Sequence, residues 1–196
     1  VTSDSGCTGV FSDTISITGY PVISFAHNGG GCSSLVSFSD SSVVAIGDTI
    51  ASWNWNFGDS AYSVANNPTH AYTAPGTYIV QLSVSTNTGC VNSYTDTVHL
   101  FPVPVADFVA VANCGQDSIC FIDNSTINNG SIVSWNWNFG DGNTGTVQNP
   151  VHYYNTSDTY TILLTVTSDS GCSSSDSDTI TVLFSSVSDT SVDTDS

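Results

Sequence analysis

The sequence predicts an all-β protein made of two β-sandwiches in tandem, and three observations carry that expectation. The octapeptide SWNWNFGD occurs at Ser52–Asp59 and again at Ser134–Asp141. Around it, apolar and polar residues alternate with a period of two, the spacing of a half-buried strand. Between such segments the chain is punctuated by Gly, Asn, Pro and Asp, with no helical periodicity anywhere.

The repeat extends well beyond the octapeptide. PVISFA (Pro21–Ala26) matches PVADFV (Pro104–Val109), and NNPTHAY (Asn66–Tyr72) matches QNPVHYY (Gln148–Tyr154). GTYIVQLSVSTNTGC (Gly76–Cys90) matches DTYTILLTVTSDSGC (Asp158–Cys172), and YTDTVHL (Tyr94–Leu100) matches DSDTITV (Asp176–Val182). Trp53, Trp55 and Phe57 share one face of a strand, with Ser52, Asn54 and Asn56 on the other. Gly58-Asp59 then turns the chain. Tyr78, Val80, Leu82 and Val84 alternate in the same way, as do Tyr160, Ile162, Leu164 and Val166. At period two, the tryptophans are core residues before they are a sugar-stacking platform.

Composition narrows the function. Apolar content of 39% and aromatic content of 11% suffice for packed cores. Seventeen acids, all Asp, face no Lys or Arg, for a formal net charge of −17. Without cationic side chains the protein cannot neutralise phosphates, so nucleic acid and anionic membranes are not expected partners. No apolar run reaches the roughly 20 residues of a membrane span, and no basic, apolar leader opens the chain at Val1. Trypsin would find no site to cut, a property suited to life outside a cell. The six cysteines form neither CxxC nor a zinc-site spacing, and disulfides are their expected chemistry.

W-x-F-G-D, followed by N-P-x-H-x-Y and then P-G-x-Y-x-V-x-L-x-V, resembles the PKD domain over nearly the whole chain. That resemblance implies an immunoglobulin-like β-sandwich, found in tandem on secreted and surface proteins. Three departures stand out. Asn56 and Asn138 occupy the place of the family's usual Asp; Ser60 replaces the glycine kept at Gly142; Ser157-Asp158 replaces Pro75-Gly76. The GC after the sixth strand and the DT opening the seventh resemble PKD repeats in surface proteins and adhesins of the Bacteroidota.

The expected organisation is a terminal strand segment over residues 1–20, PKD-like domains over 21–102 and 103–184, and a polar tail over 185–196. The first segment reads as the last strand of a preceding repeat, because VTSDSGC (Val1–Cys7) is identical to Val166–Cys172. By position within the repeat, the expected disulfides are Cys32–Cys90 and Cys114–Cys172, each valued at roughly 4 kcal/mol in the chain-entropy model. Cys7 and Cys120 are then left over. A Cys7–Cys120 bridge between subunits would lock residues 1–19 of one copy against the second domain of its neighbour. Such a heterologous contact builds a filament.

No catalytic constellation is present: there is no G-x-S-x-G, paired Glu, phosphate loop or metal signature. His70 and His152 share one repeat position, as structural residues would. No cofactor is expected. Because some PKD domains bind calcium through Asp and Asn, Asp59 and Asp141 are the weak candidates for that ion. Six Asp-Ser/Thr-aliphatic sites, at Thr14, Thr49, Ser60, Thr97, Ser118 and Thr179, resemble the O-glycosylation site of the Bacteroidota, and their hydroxyls are expected to face solvent. Asn124, Asn129 and Asn155 fit N-x-[ST], a common and seldom used sequon in bacteria.

The expected function is that of an extracellular structural protein, not an enzyme: a tandem segment of a bacterial surface fibre, stalk or adhesin, glycosylated and assembling head to tail as a homopolymer or with neighbouring repeats. The alternative is a non-catalytic carbohydrate- or protein-binding spacer of a secreted hydrolase, for which Tyr62, Tyr94 and Tyr153 are the aromatic candidates.

Overall fold

The computed structural model describes residues 4, 6, 8, 19–112 and 118–183. Among them every element is a strand. The first copy contributes β1 (Phe25–Gly30), β2 (Ser33–Asp40), β3 (Ile50–Asn56), β4 (Tyr62–Ser63), β5 (Thr69–Ala71), β6 (Gly76–Thr86) and β7 (Val91–Leu100). The second contributes β8 (Phe108–Ala112), β9 (Ser118–Asp123), β10 (Ile132–Asn138), β11 (Thr144–Gly145), β12 (Val151–Tyr153), β13 (Asp158–Ser168) and β14 (Ser173–Val182).

Each copy folds into a three-stranded and a four-stranded sheet. The orders are β1-β2-β5 and β4-β3-β6-β7 in the first copy, β8-β9-β12 and β11-β10-β13-β14 in the second. The register repeats as faithfully as the sequence. Trp55 faces Leu82 and Trp137 faces Leu164 across antiparallel pairs, and each pair slips at one point, between Ile50 and Ser52 or between Ile132 and Ser134. These are β-bulges, which add one residue to a strand and increase its twist.

Alternation places the core. In β13, Tyr160, Ile162, Leu164 and Val166 point inward and join Phe108, Phe121, Trp137, Phe139, Tyr154 and Val182. In the first copy Phe25, Val36, Phe38, Trp55, Phe57, Tyr72, Val80, Leu82, Val84 and Val98 are buried in the same pattern. With no Lys or Arg to form ion pairs, burial and backbone pairing carry these sandwiches. The chain divides into two compact units. The first comprises Val1–Gly29, Leu35–Tyr72 and Thr77–Val98; the second comprises Gly30–Ser34, Thr73–Gly76 and His99–Ser196.

The allocation of Gly30–Ser34 to the second unit bears on the cysteines. Gly31 donates its N–H to His99 O at 2.7 Å, and Phe101 N–H donates to Gly31 O at 2.7 Å. Cys32, in that turn, is bonded to Cys172 with Cα atoms 5.4 Å apart. The expected pairs Cys32–Cys90 and Cys114–Cys172 are therefore corrected. The physical reason lies in β2. Its eight residues separate the β1–β2 turn from the end of the sandwich where the β6–β7 turn sits, a span of about 25 Å. Asn87 in that turn exchanges hydrogen bonds with Thr49 just before β3, and Asp40 at the far end of β2 accepts from Trp53 in β3. Cys32 and Cys90 thus belong to opposite ends.

The expected bridge between subunits also changes. Cys120 is disulfide-bonded within the chain, so it is not left over for a neighbouring copy. Cys7, Cys114 and Thr14 lie outside the described residues.

Candidate functional site

The chemically richest cluster in each copy gathers around the F-G-D turn. In the first copy Asn56 Oδ1 accepts from Gly58 N–H at 2.9 Å, and Asp59 Oδ1 accepts from Ala61 N–H at 3.1 Å. In the second copy Asn138 serves Gly140 at 3.0 Å and Asp141 serves Asn143 at 3.0 Å. The substituted Asn residues thus cap the turn as a carboxylate would. The glycine is required twice over. Gly140 has φ 81°, and a Cβ there would lie 2.6 Å from Thr161 O; Gly58, with φ 85°, would meet Ile79 O at 2.7 Å.

The second carboxylate oxygen of each turn Asp is taken by histidine. His70 Nε2 lies 2.7 Å from Asp59 Oδ2, and His152 Nε2 lies 2.8 Å from Asp141 Oδ2. Both imidazoles lie flat on a core phenylalanine and meet the edge of a tyrosine: Phe57 and Tyr72, or Phe139 and Tyr154. The tyrosines donate to Phe57 O and Phe139 O, each at 3.0 Å. Burial works to raise the Asp59 and Asp141 carboxyls, but the hydrogen bonds from histidine and turn N–H groups outweigh it and hold both below the usual carboxylate range. Burial, and then the nearby carboxylate, push the Tyr72 and Tyr154 hydroxyls well above their ordinary value.

The tryptophans complete the network. Trp55 and Trp137 are fully buried and donate to Ala65 O and Val147 O, each at 2.9 Å. Trp53 and Trp135 are half-buried and donate to Asp40 and Asp123. Asp123 is held low by bonds from Ser125, Gln148 and Trp135, against the opposing effect of burial. The indole and imidazole bonds recur with the same partners in both copies, and the second copy adds Gln148 to Asp123 and the Asn143 side chain to Asp141. A phenyl ring covers a face of each imidazole.

The structure separates the other candidates. Asp59 and Asp141 accept from histidine and backbone, Asp141 also from the Asn143 side chain, and no group of three metal-ligating side chains occurs among the described residues. Of the six hydroxyl sites, Thr49, Ser60 and Thr179 are exposed and Thr97 is half-buried. Ser118 corrects the expectation of solvent-facing hydroxyls: it is 2% exposed, because it opens β9, the central strand of its sheet. Thr97 and Thr179 each donate their N–H to the preceding Asp at 2.7 Å, so the Asp-Thr pair also has a local backbone role. Tyr62 and Tyr94 lie on strands at opposite edges of one sheet, and Tyr94 meets Phe25 edge-on; Tyr153 belongs to the other unit. Tyr62 and Tyr94 therefore form no common platform. Sequence reasoning missed the Asp–His pairs, whose signal was the shared spacing of G-D and N-P-x-H in both copies.

Comparison with known proteins agrees with this geometry. The chain is 43% identical over 60 residues to collagenase ColA of Bacillus cereus, covering 31% of this chain and 6% of that protein. It is 40% identical over 67 residues to the microbial collagenase of Vibrio alginolyticus, covering 34% and 8%. The chain therefore spans only a small fraction of the curated relatives it matches. Among solved structures, the PKD1 domain of Vibrio anguillarum Epp is 31% identical and covers 41% of this chain and 93% of its own, with a TM-score of 0.39. The PKD1 domain of the Vibrio cholerae metalloprotease PrtV is 36% identical, covering 41% and 96%, with a TM-score of 0.38. The PKD domain profile matches residues 20–102 and again residues 101–182. The chain belongs to the PKD domain family, as two copies of that non-catalytic module in tandem.

Proposed function

We propose that this chain is an extracellular structural spacer, a tandem PKD segment of a bacterial surface stalk, fibre or adhesin. One observation carries the reading. In both copies the groups best suited to chemistry or ligand capture, the tryptophans and the Asp–His pairs, are consumed by the same internal network. Such a module contributes length, solubility and durability. The absence of Lys and Arg removes every tryptic site, and the extracellular setting accords with the disulfides. Exposed Thr49, Ser60 and Thr179, with half-buried Thr97, are the sites for O-linked sugars, which would hydrate a surface otherwise dependent on Asp. Its partners are neighbouring repeats of the same array or further copies of the chain.

A second reading, a binding spacer in a secreted hydrolase, is favoured by the collagenase relatives. Co-sedimentation separates the two. The spacer stays in the supernatant with insoluble collagen, cellulose and chitin, and electron micrographs of the native material show a regular fibre or stalk. Sedimentation with any one of these polymers replaces the spacer reading with the binding one.

A further inference from the structure

Asparagine followed by glycine occurs twice in the chain, at Asn28-Gly29 and Asn129-Gly130, and the fold treats the two differently. Asn28 and Gly29 lie inside β1, which is hydrogen-bonded to β2. A Cβ on Gly29 would lie 2.4 Å from Leu35 O and 3.1 Å from Val36 Cα, so the backbone of β2 packs directly against that glycine. Asn129 and Gly130 lie in a bend outside every strand, and both are exposed. The bend is tied down on either side. Before it, Thr126 N–H donates to Val105 O at 3.0 Å and Val105 N–H to Thr126 O at 2.8 Å. After it, Ser131 N–H donates to Asp169 Oδ2 at 3.0 Å, and Ser131 O accepts from Asp169 N–H at 2.9 Å. Gly130 itself has φ 92°, and Asp169 Oδ1 lies 2.8 Å from where its Cβ would be.

We propose that Asn129 is a site of spontaneous covalent ageing, at which the side-chain amide is lost through a succinimide formed with Gly130. Gly130 N gives its proton to solvent and attacks Asn129 Cγ, forming a C–N bond. The side-chain nitrogen takes up a proton and leaves as ammonia. Water then opens the ring. Addition at Cγ yields aspartate; addition at the main-chain carbonyl yields isoaspartate, whose backbone runs through the former side chain. No electrons are exchanged, and water is the sole co-reactant.

Geometry chooses between the two sites. Ring closure requires the glycine peptide plane to turn until its nitrogen faces the Asn side chain. In β1 the chain is held in its ladder and crowded by Leu35 and Val36, so that rotation would first have to open the hairpin. In the bend Asn129 belongs to no ladder, and the glycine offers no Cβ to obstruct the approach. The product sets a new carboxylate beside the residue that Asp169 already crowds, in a chain with no Lys or Arg to offset it. Isoaspartate also lengthens the segment that leads into β10. The inference goes beyond the spacer reading and does not depend on it.

The test incubates the full natural chain in mildly alkaline buffer, with and without urea, then reduces it and digests it with chymotrypsin. Asn129 is read in the Ile122–Trp135 peptide and Asn28 in the Ala26–Leu35 peptide. Fragment-ion spectra are expected to place amide-to-acid conversion on Asn129 of the folded chain, as a mixture of aspartate and isoaspartate. Asn28 should convert more slowly by about tenfold or more, because the hairpin must open first. In urea the two sites should convert at similar rates. An Asn129 that keeps its amide, or carries an N-linked glycan instead, overturns the inference. So does equal conversion of Asn28 and Asn129 in the folded chain, or a preference for Asn129 that is undiminished in urea.

Discussion

His152 lies flat on Phe139, with ring centroids 4.2 Å apart and 8° between the planes, and from that position its Nε2 reaches Asp141 Oδ2 at 2.8 Å. His70 and Phe57 repeat the stack at 4.3 Å and 4°. Stacking fixes the imidazole plane, the plane fixes the direction of Nε2, and the carboxylate it meets is the one that holds the F-G-D turn. Each copy thus ties its β5- or β12-type strand to the turn after the tryptophan strand.

That coupling predicts a pH signature. The Asp59 and Asp141 carboxyls are depressed in the folded chain. Their contribution is therefore fully present above the unfolded carboxylate value near 3.9 and is lost as pH falls through the lower folded value. Asp59→Asn with Asp141→Asn should lower the thermal midpoint by several degrees at pH 7. Unfolding followed by circular dichroism should show a constant gap from pH 7 to 5 that closes below about pH 4. A gap independent of pH would show that the charge is not what the turn uses.

Gly140 and Gly142 both have positive φ, but only Gly140 faces a backbone oxygen. Gly140→Ala should therefore cost about 3 kcal/mol, from left-handed strain plus displacement of Thr161. Gly142→Ala, with open space at its Cβ, should cost about 1 kcal/mol from strain alone. Urea unfolding of the two variants measures the difference, and equal losses would refute the steric argument.

Ser60 occupies the place of Gly142 with φ 75°, the sole non-glycine positive φ among the described residues. Ser60→Gly should relieve that strain and stabilise the first domain by about 0.5–1 kcal/mol, after the entropy glycine adds to the unfolded chain. A domain-resolved melt of the variant tests it. A lowered midpoint would mean that the hydroxyl contributes more than the strain costs.

The Cys32–Cys172 bond links positions 140 apart. In the chain-entropy model a loop of that length contributes about 5 kcal/mol against the reduced unfolded chain. Reduction, or Cys32→Ser, should lower the urea midpoint, and disulfide mapping after cleavage before Asp should recover the pair. Recovery of a Cys32–Cys90 peptide would overturn the pairing.

The sequence alone determined the strands, the tandem organisation and the family, because each rests on local signals: period-two alternation, turn residues and motif spacing. Trp55, Trp137, Phe57 and Phe139 are core residues, as their alternation requires. Only the tertiary structure decided which cysteines meet. Position within the repeat pairs Cys32 with Cys90, yet β2 holds them at opposite ends of the sandwich, and the turn carrying Cys32 meets Cys172 instead. It also decided that Ser118 is buried while the similar Thr179 is exposed, since one opens a central strand and the other lies on an edge strand. The reason is common to both. Periodicity states which way a side chain points along its own strand, whereas what lies opposite depends on contacts between residues far apart in the chain, which no local pattern encodes.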